Sequence, residues 1–138
     1  MTKVMVFGTF DYLHEGHKDF FRQAKQYGDV LVVVVARDET VKKIKGKSPD
    51  HDEQTRLMRV KENEYVSKAI LGNPGDKYKV IEQEKPDVLC FGYDQKSFNV
   101  NIEKELKKRN LNPKIITLQP YKPEKYKSSK FGVFILFS

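Results

Sequence analysis

Residues 30–36 read VLVVVVA, an unbroken, β-branched run that is apolar on both faces. A strand half exposed to water alternates, so a run without alternation is the pattern of a central parallel strand with helices on both sides. Upstream, residues 4–7 (VMVF) form a shorter apolar run that ends at Gly8 and reads as the first strand. Between the two, residues 16–27 place Phe20, Phe21, Ala24 and Tyr27 at helical spacing, and Gly28 ends that helix. Downstream the alternation continues. A helix is expected over residues 52–63, with Leu57, Met58 and Val60 as its apolar part. A strand over 69–71 is closed by the turn Gly72-Asn73-Pro74-Gly75, followed by a helix over 76–84 and a strand over 87–91 that ends at Gly92. A helix over 101–109 and a strand over 114–118 complete the series. Strands alternating with helices predict an α/β domain with a mostly parallel sheet of about five strands. The last apolar stretch, residues 131–138 (FGVFILFS), suits either a helix or a strand.

The composition narrows the chemistry. The chain has 138 residues, enough for one packed core, and is expected to be a single domain over residues 1–138. Charged residues make up 33% and apolar ones 38%, and 26 Lys+Arg against 19 Asp+Glu give a net charge of +7, which favours polyanionic ligands. One cysteine, Cys90, excludes an internal disulfide framework and suits a reducing compartment. No apolar run approaches the roughly 18 residues of a membrane span. Asp11 follows the first apolar run closely, without a basic leader, so a soluble, cytoplasmic protein is expected.

The loop after the first strand reads GTFDYLHEGH, residues 8–17. Gly8 at a strand end lets backbone pass close to a ligand, because no Cβ intervenes. His14 and His17 are three apart around Gly16, so both imidazoles can face one side of a helix N-terminus. Free N–H groups and the helix dipole favour an anion there, and two imidazoles add donors. A His pair at this spacing could also ligate zinc, but zinc needs a third protein ligand, and His51 and Cys90 have no motif spacing around them.

This decapeptide resembles the signature of the cytidylyltransferase-like nucleotidyltransferases, and the resemblance runs from Lys3 to Lys130. The family's fold implies a Rossmann-like sheet of strand order 3-2-1-4-5. Its activity implies that a nucleoside triphosphate is held by Gly8, Thr9, Phe10, Asp11, His14 and His17. Within the family, VVVVARDETVKKIKGKSP, ILGNPGD and PDVLCFGYDQ look most like archaeal-type FAD synthetases, which transfer AMP from ATP to FMN. Glycerol-3-phosphate cytidylyltransferase, which makes CDP-glycerol from CTP, is the alternative. Its relatives carry an Arg just before the aromatic-Val pair leading to the third strand, where this chain has Glu64 before Tyr65-Val66.

In the implied strand order, strands one and four are neighbours and the crevice between them takes the ligand. Gly92, Asp94 and Gln95 follow the fourth strand, and the resemblance adds them to the nucleotide site. Lys42, Lys43, Lys45 and Lys47 crowd what is expected to be a loop after the second strand. In the family one or two lysines here contact phosphates, and Lys45 and Lys47 match best; Arg56 matches a basic residue near the nucleotide. Ser128 and Ser129 resemble a Ser/Thr pair that opens a helix beneath the phosphates, although the cytidylyltransferases' usual Arg-Thr lead-in and long final helix are missing.

These expectations combine into direct nucleotidyl transfer. His14 and His17 grip the phosphates, Lys45, Lys47 and Arg56 neutralise the transition state, and a divalent ion, Mg²⁺, bridges triphosphate oxygens. Asp11 is suited either to placing that ion or to capping the helix. Tyr121 and Tyr126 are candidate contacts for an isoalloxazine ring. Family members are commonly homodimers, and the apolar tail is expected to be buried in the core or at an interface. The rival is a nucleotide- or nucleic-acid-binding module without turnover, since residues 103–130 hold nine Lys/Arg against three Asp/Glu.

Overall fold

The computed structural model describes residues 1–92, 95 and 101–120. Five parallel strands, β1 (Lys3–Gly8), β2 (Val30–Val35), β3 (Lys68–Leu71), β4 (Val88–Phe91) and β5 (Lys114–Thr117), lie in the order β3-β2-β1-β4-β5. The expected α/β class, parallel sheet and strand order all hold. β1 pairs with β2 in register from Lys3↔Val30 to Gly8↔Val35, and with β4 through Val4↔Val88 and Met5↔Leu89.

The helices among the described residues are α1 (Glu15–Lys25), α2 (Asp38–Lys45), α3 (Glu53–Lys61), α4 (Lys79–Glu84) and α5 (Ile102–Lys108). Alternate strand residues point to opposite faces. Val4, Val6, Leu31, Val33 and Val35 therefore meet Phe21 and Ala24 of α1 and Val60 of α3. Met5, Phe7, Val32, Val34, Leu89 and Phe91 meet Val80 and Ile81 of α4 and Ile102 and Leu106 of α5 on the other face. Both sides of VLVVVVA are covered, as its composition requires.

The lysine-rich segment corrects the expectation of a loop: Lys42, Lys43 and Lys45 lie in the last turn of α2. The reasons are local. Asp38 and Glu39 stand in the first turn and the lysines in the last, matching the helix dipole at both ends. Gly46 closes the helix in the left-handed conformation, φ 85°. Val41 is buried and Ile44 packs against the α4/α5 side of the core, so three-residue apolar spacing was present but masked by charge. The fourth helix also begins later than expected, at Lys79, because Asp76 accepts a hydrogen bond from the Tyr78 N–H (3.0 Å) and forms a side-chain-closed turn first. Among the described residues no helix is long and apolar enough to cross a membrane.

Candidate active site

The loop leaving β1 folds back on itself. Phe10 sits at φ 54°, in the left-handed region that costs a bulky residue about 1–3 kcal/mol. What holds it there is burial: its ring packs edge-on against His17 (centroids 5.3 Å) and tilted against Phe21 (5.2 Å). The ring also covers Gly8, where an added Cβ would stand 2.2 Å from its tip. The sequence suggested that Gly8 admits a ligand; the structure instead gives that space to Phe10. Thr9, between them, is fully buried, and its hydroxyl has no hydrogen-bond partner among the described residues. A buried hydroxyl without a partner costs about 1–3 kcal/mol, which is unusual in a native site.

His14 is the N-cap of α1, its Nδ1 accepting from the Gly16 N–H (3.0 Å). An accepting Nδ1 leaves the proton of the neutral ring on Nε2. Burial pushes the His14 pKa down, opposed by the neighbouring Glu15 carboxylate, so this ring is held neutral. His17 is buried one turn on, its Nδ1 3.1 Å from the Tyr12 carbonyl oxygen. A carbonyl only accepts, so here Nδ1 carries the proton. The two rings stack with centroids 3.9 Å apart and planes 26° from parallel. The expected convergence of both imidazoles on the α1 N-terminus is present, with opposite tautomers.

Asp11 does not cap α1. Its Oδ2 accepts from the Asp50 N–H (2.7 Å) and its Oδ1 from the His51 N–H (2.8 Å), and His51 Nδ1 lies 3.0 Å from Oδ1. The carboxylate thereby ties the segment before α3 to the first loop. The Tyr12 hydroxyl adds a hydrogen bond to the Asp50 carboxylate. Arg56 reinforces the same junction. It is fully buried, donating from Nε to the His51 carbonyl (2.9 Å) and from the guanidinium tips to the Thr9 carbonyl (2.8 Å) and Asp38 Oδ1 (2.8 Å). The sequence reading placed Arg56 among charge-neutralising groups; in the structure its three nitrogens hold three backbone segments together.

Lys45 is half-buried at the end of α2, and its pKa is pulled down chiefly by burial, with Asp11 pulling it back up and Arg56 and Lys47 adding to the lowering. Lys47 is exposed beyond Gly46. At the β1/β4 crevice, Gln95 is fully buried rather than offered to a ligand. Its Nε2 donates to the Phe7 carbonyl (3.0 Å), and its Oε1 accepts from the Gly92 N–H (2.8 Å), so it stitches the ends of β1 and β4 together. Asp94, Ser128 and Ser129 lie outside the described residues, as do Tyr121, Tyr126 and the apolar tail. Cys90 is buried in β4 and its thiol is pushed up to about 12 by desolvation, so it is no nucleophile at neutral pH. His51 is the residue that sequence spacing missed; forty positions from Asp11, it carried no local signal.

The cytidylyltransferase-like family model matches residues 5–131. The FAD synthase of Aciduliprofundum boonei is 45% identical over 121 residues, 88% of this chain and 80% of that one. The FAD synthase of Pyrococcus horikoshii is 40% identical over 130 residues, 93% of this chain and 88% of its own length. A crystal structure from Thermoplasma volcanium, described as a lipopolysaccharide core biosynthesis protein, superposes with a TM-score of 0.83 at 41% identity, covering 88% of this chain and 99% of that one. Pantoate–β-alanine ligase of Francisella tularensis shares the fold alone, with a TM-score of 0.59 at 15% identity over 95% of this chain and 67% of that one. With the signature loop, the strand order and the family match all in agreement, the chain belongs to the cytidylyltransferase-like family of nucleotidyltransferases.

Proposed function

We propose that this protein transfers AMP from ATP to FMN, giving FAD and pyrophosphate. The observation that carries this reading is the stacked His14–His17 pair at the α1 N-terminus, in a chain whose relatives at 40–45% identity are FAD synthases. An FMN phosphate oxygen attacks the α-phosphorus in line; the new P–O bond forms as the bond to the β-phosphate oxygen breaks, and pyrophosphate carries away the electron pair. The attacking phosphate needs no base, so the protein's work is positioning and charge stabilisation.

The roles follow from the tautomers. His14, held neutral, presents Nε2–H as a donor. His17, whose Nδ1 is committed to the Tyr12 carbonyl, becomes a donor at Nε2 only as the imidazolium, which a polyanion favours. The buried Thr9 hydroxyl adds a donor to the phosphate site. Lys45 and Lys47 would neutralise charge building on the leaving pyrophosphate. Arg56 and Asp11 are positioning residues: they fix the loop that carries Thr9 and the segment ahead of α3. Among the described residues no three His, Cys, Asp or Glu side chains gather to hold a metal, so Mg²⁺ is assigned to the triphosphate as part of that substrate.

The FAD synthase relatives weigh against the glycerol-3-phosphate alternative. The test is to incubate the protein with Mg²⁺, ATP or CTP, and FMN or glycerol-3-phosphate, measuring pyrophosphate together with FAD or CDP-glycerol. FAD from ATP and FMN is expected. CDP-glycerol without FAD would overturn the reading.

A further inference from the structure

A groove of about 700 Å³ opens between α2, the β3–α4 turn and α5. Its volume is that of a site for a drug-sized ligand. Ile44 and the ring of Tyr78 give it apolar surface, Thr40 and Asn73 give it hydrogen-bonding groups, and Lys77 and Arg109 give it cations. The Tyr78 ring is held by its neighbours, with the Arg109 guanidinium 5.6 Å and the Lys77 ammonium 5.4 Å from its centroid. Arg109 is in turn anchored by Glu82 (2.7 Å) and Asp76 (3.2 Å). An aromatic ring fixed in this way keeps its orientation without a ligand, the preorganisation that favours binding.

Thr40, Asn73 and Lys77 also line a small pit of about 30 Å³ that runs down to Phe7, Val34 and Ala36 at the C-terminal edge of the sheet. Phe7 directly precedes Gly8 of the signature loop. Groove and loop are thus joined along one edge, with α2 as their shared wall.

We propose that this groove receives the isoalloxazine ring of FMN against Tyr78 and Ile44, with the ribityl chain crossing Thr40 and Asn73 toward the signature loop. The inference rests on the FMN reading given above and adds to it where the acceptor lies. The ring is a large planar aromatic whose pyrimidine edge bears carbonyl oxygens. Lys77 lines the groove, where its ammonium can meet that edge. Thr40 follows β2 and Asn73 follows β3, whereas the switch-point crevice for the other nucleotide lies between β1 and β4.

The test uses the full chain. FMN and riboflavin are titrated by flavin fluorescence, and KM is measured for FMN and ATP separately. Tyr78→Ala is expected to raise the KM for FMN about tenfold, with kcat and the KM for ATP changed less than twofold, and Tyr78→Phe to restore it. Riboflavin, which lacks the phosphate, is expected to compete with FMN. Lys77→Glu changes a surface residue without touching the core, and is expected to raise the KM for FMN about threefold or more even if Tyr78→Ala folds poorly. FAD synthesis with an unchanged KM for FMN in both Tyr78→Ala and Lys77→Glu, a larger effect on ATP than on FMN, or failure of riboflavin to compete would each overturn the groove assignment while the proposed reaction stands. Absence of FAD synthesis by the unaltered protein would overturn the reaction and the groove assignment together.

Discussion

The imidazoles of His14 and His17 lie face to face, centroids 3.9 Å apart, and carry their protons on opposite nitrogens. His14 spends Nδ1 on capping α1, and His17 spends its Nδ1–H on the Tyr12 carbonyl. Each ring is oriented by the hydrogen bond at its Nδ1.

If His17 donates, as proposed, to charge that develops in the transition state, His17→Ala should lower the rate of nucleotidyl transfer by about 10²–10³-fold. Triphosphate affinity should fall less than the rate. Single-turnover kinetics alongside equilibrium binding separates the two, and a variant with most of its activity would remove the pair from the mechanism.

His14 gives a pH dependence of stability. Burial lowers its pKa from the ordinary 6.5, so the unfolded chain binds the proton more readily than the folded one. Its contribution is fully present above pH 6.5 and is lost as pH falls from there toward the lowered folded value. His14→Asn keeps an N-cap acceptor but has nothing to titrate. Urea denaturation at steps between pH 7.5 and about 5 should show a shallower loss for the variant than for the parent.

Gly8→Ala should destabilise the fold by about 1–3 kcal/mol, because the new methyl would overlap the Phe10 ring at 2.2–2.7 Å. The companion change Phe10→Leu removes the obstructing ring. In a double-mutant cycle the two should couple, the pair costing less than the sum of the singles. Strict additivity in thermal melts would show that the contact does not restrict position 8.

Arg56→Ala should cost about 3 kcal/mol or more, because it empties a buried site and frees the Thr9 and His51 carbonyls. Arg56→Lys keeps the charge but not the three-way fork, so it should recover only part of that. If Arg56 positions rather than reacts, the lysine variant should lose activity in proportion to disordering of the 50–51 segment, read as faster amide exchange at the Asp50 and His51 N–H groups that Asp11 holds.

A homodimer is expected in solution from the apolar segment 131–137, which would otherwise add a large exposed patch to a small protein. Light scattering that reads a stable monomer with and without nucleotide would refute it.

Local pattern was enough to mark the strands, while their order was implied by the family resemblance. VLVVVVA read as a strand covered on both faces, the 4–7 run and DVLCF as further strands of the series, and the GTFDYLHEGH loop carried its own helix start and its two imidazoles. These are short-range facts, set by side-chain periodicity and by residues three apart. Contacts across the chain were decided by the fold alone. Nothing in the sequence near Arg56 says that it is buried on Thr9 and Asp38, nor near Gln95 that its amide closes the β1/β4 gap rather than facing a ligand, because both depend on partners 18 to 88 positions away. The α2 helix stood between these cases: Val41 and Ile44 were spaced correctly, but its three lysines hid the apolar face that packs on the core. Asp11 shows the same division. Its place in the loop was legible, but whether it capped a helix or clamped a distant segment was a choice that only the approach of Asp50 and His51 could make.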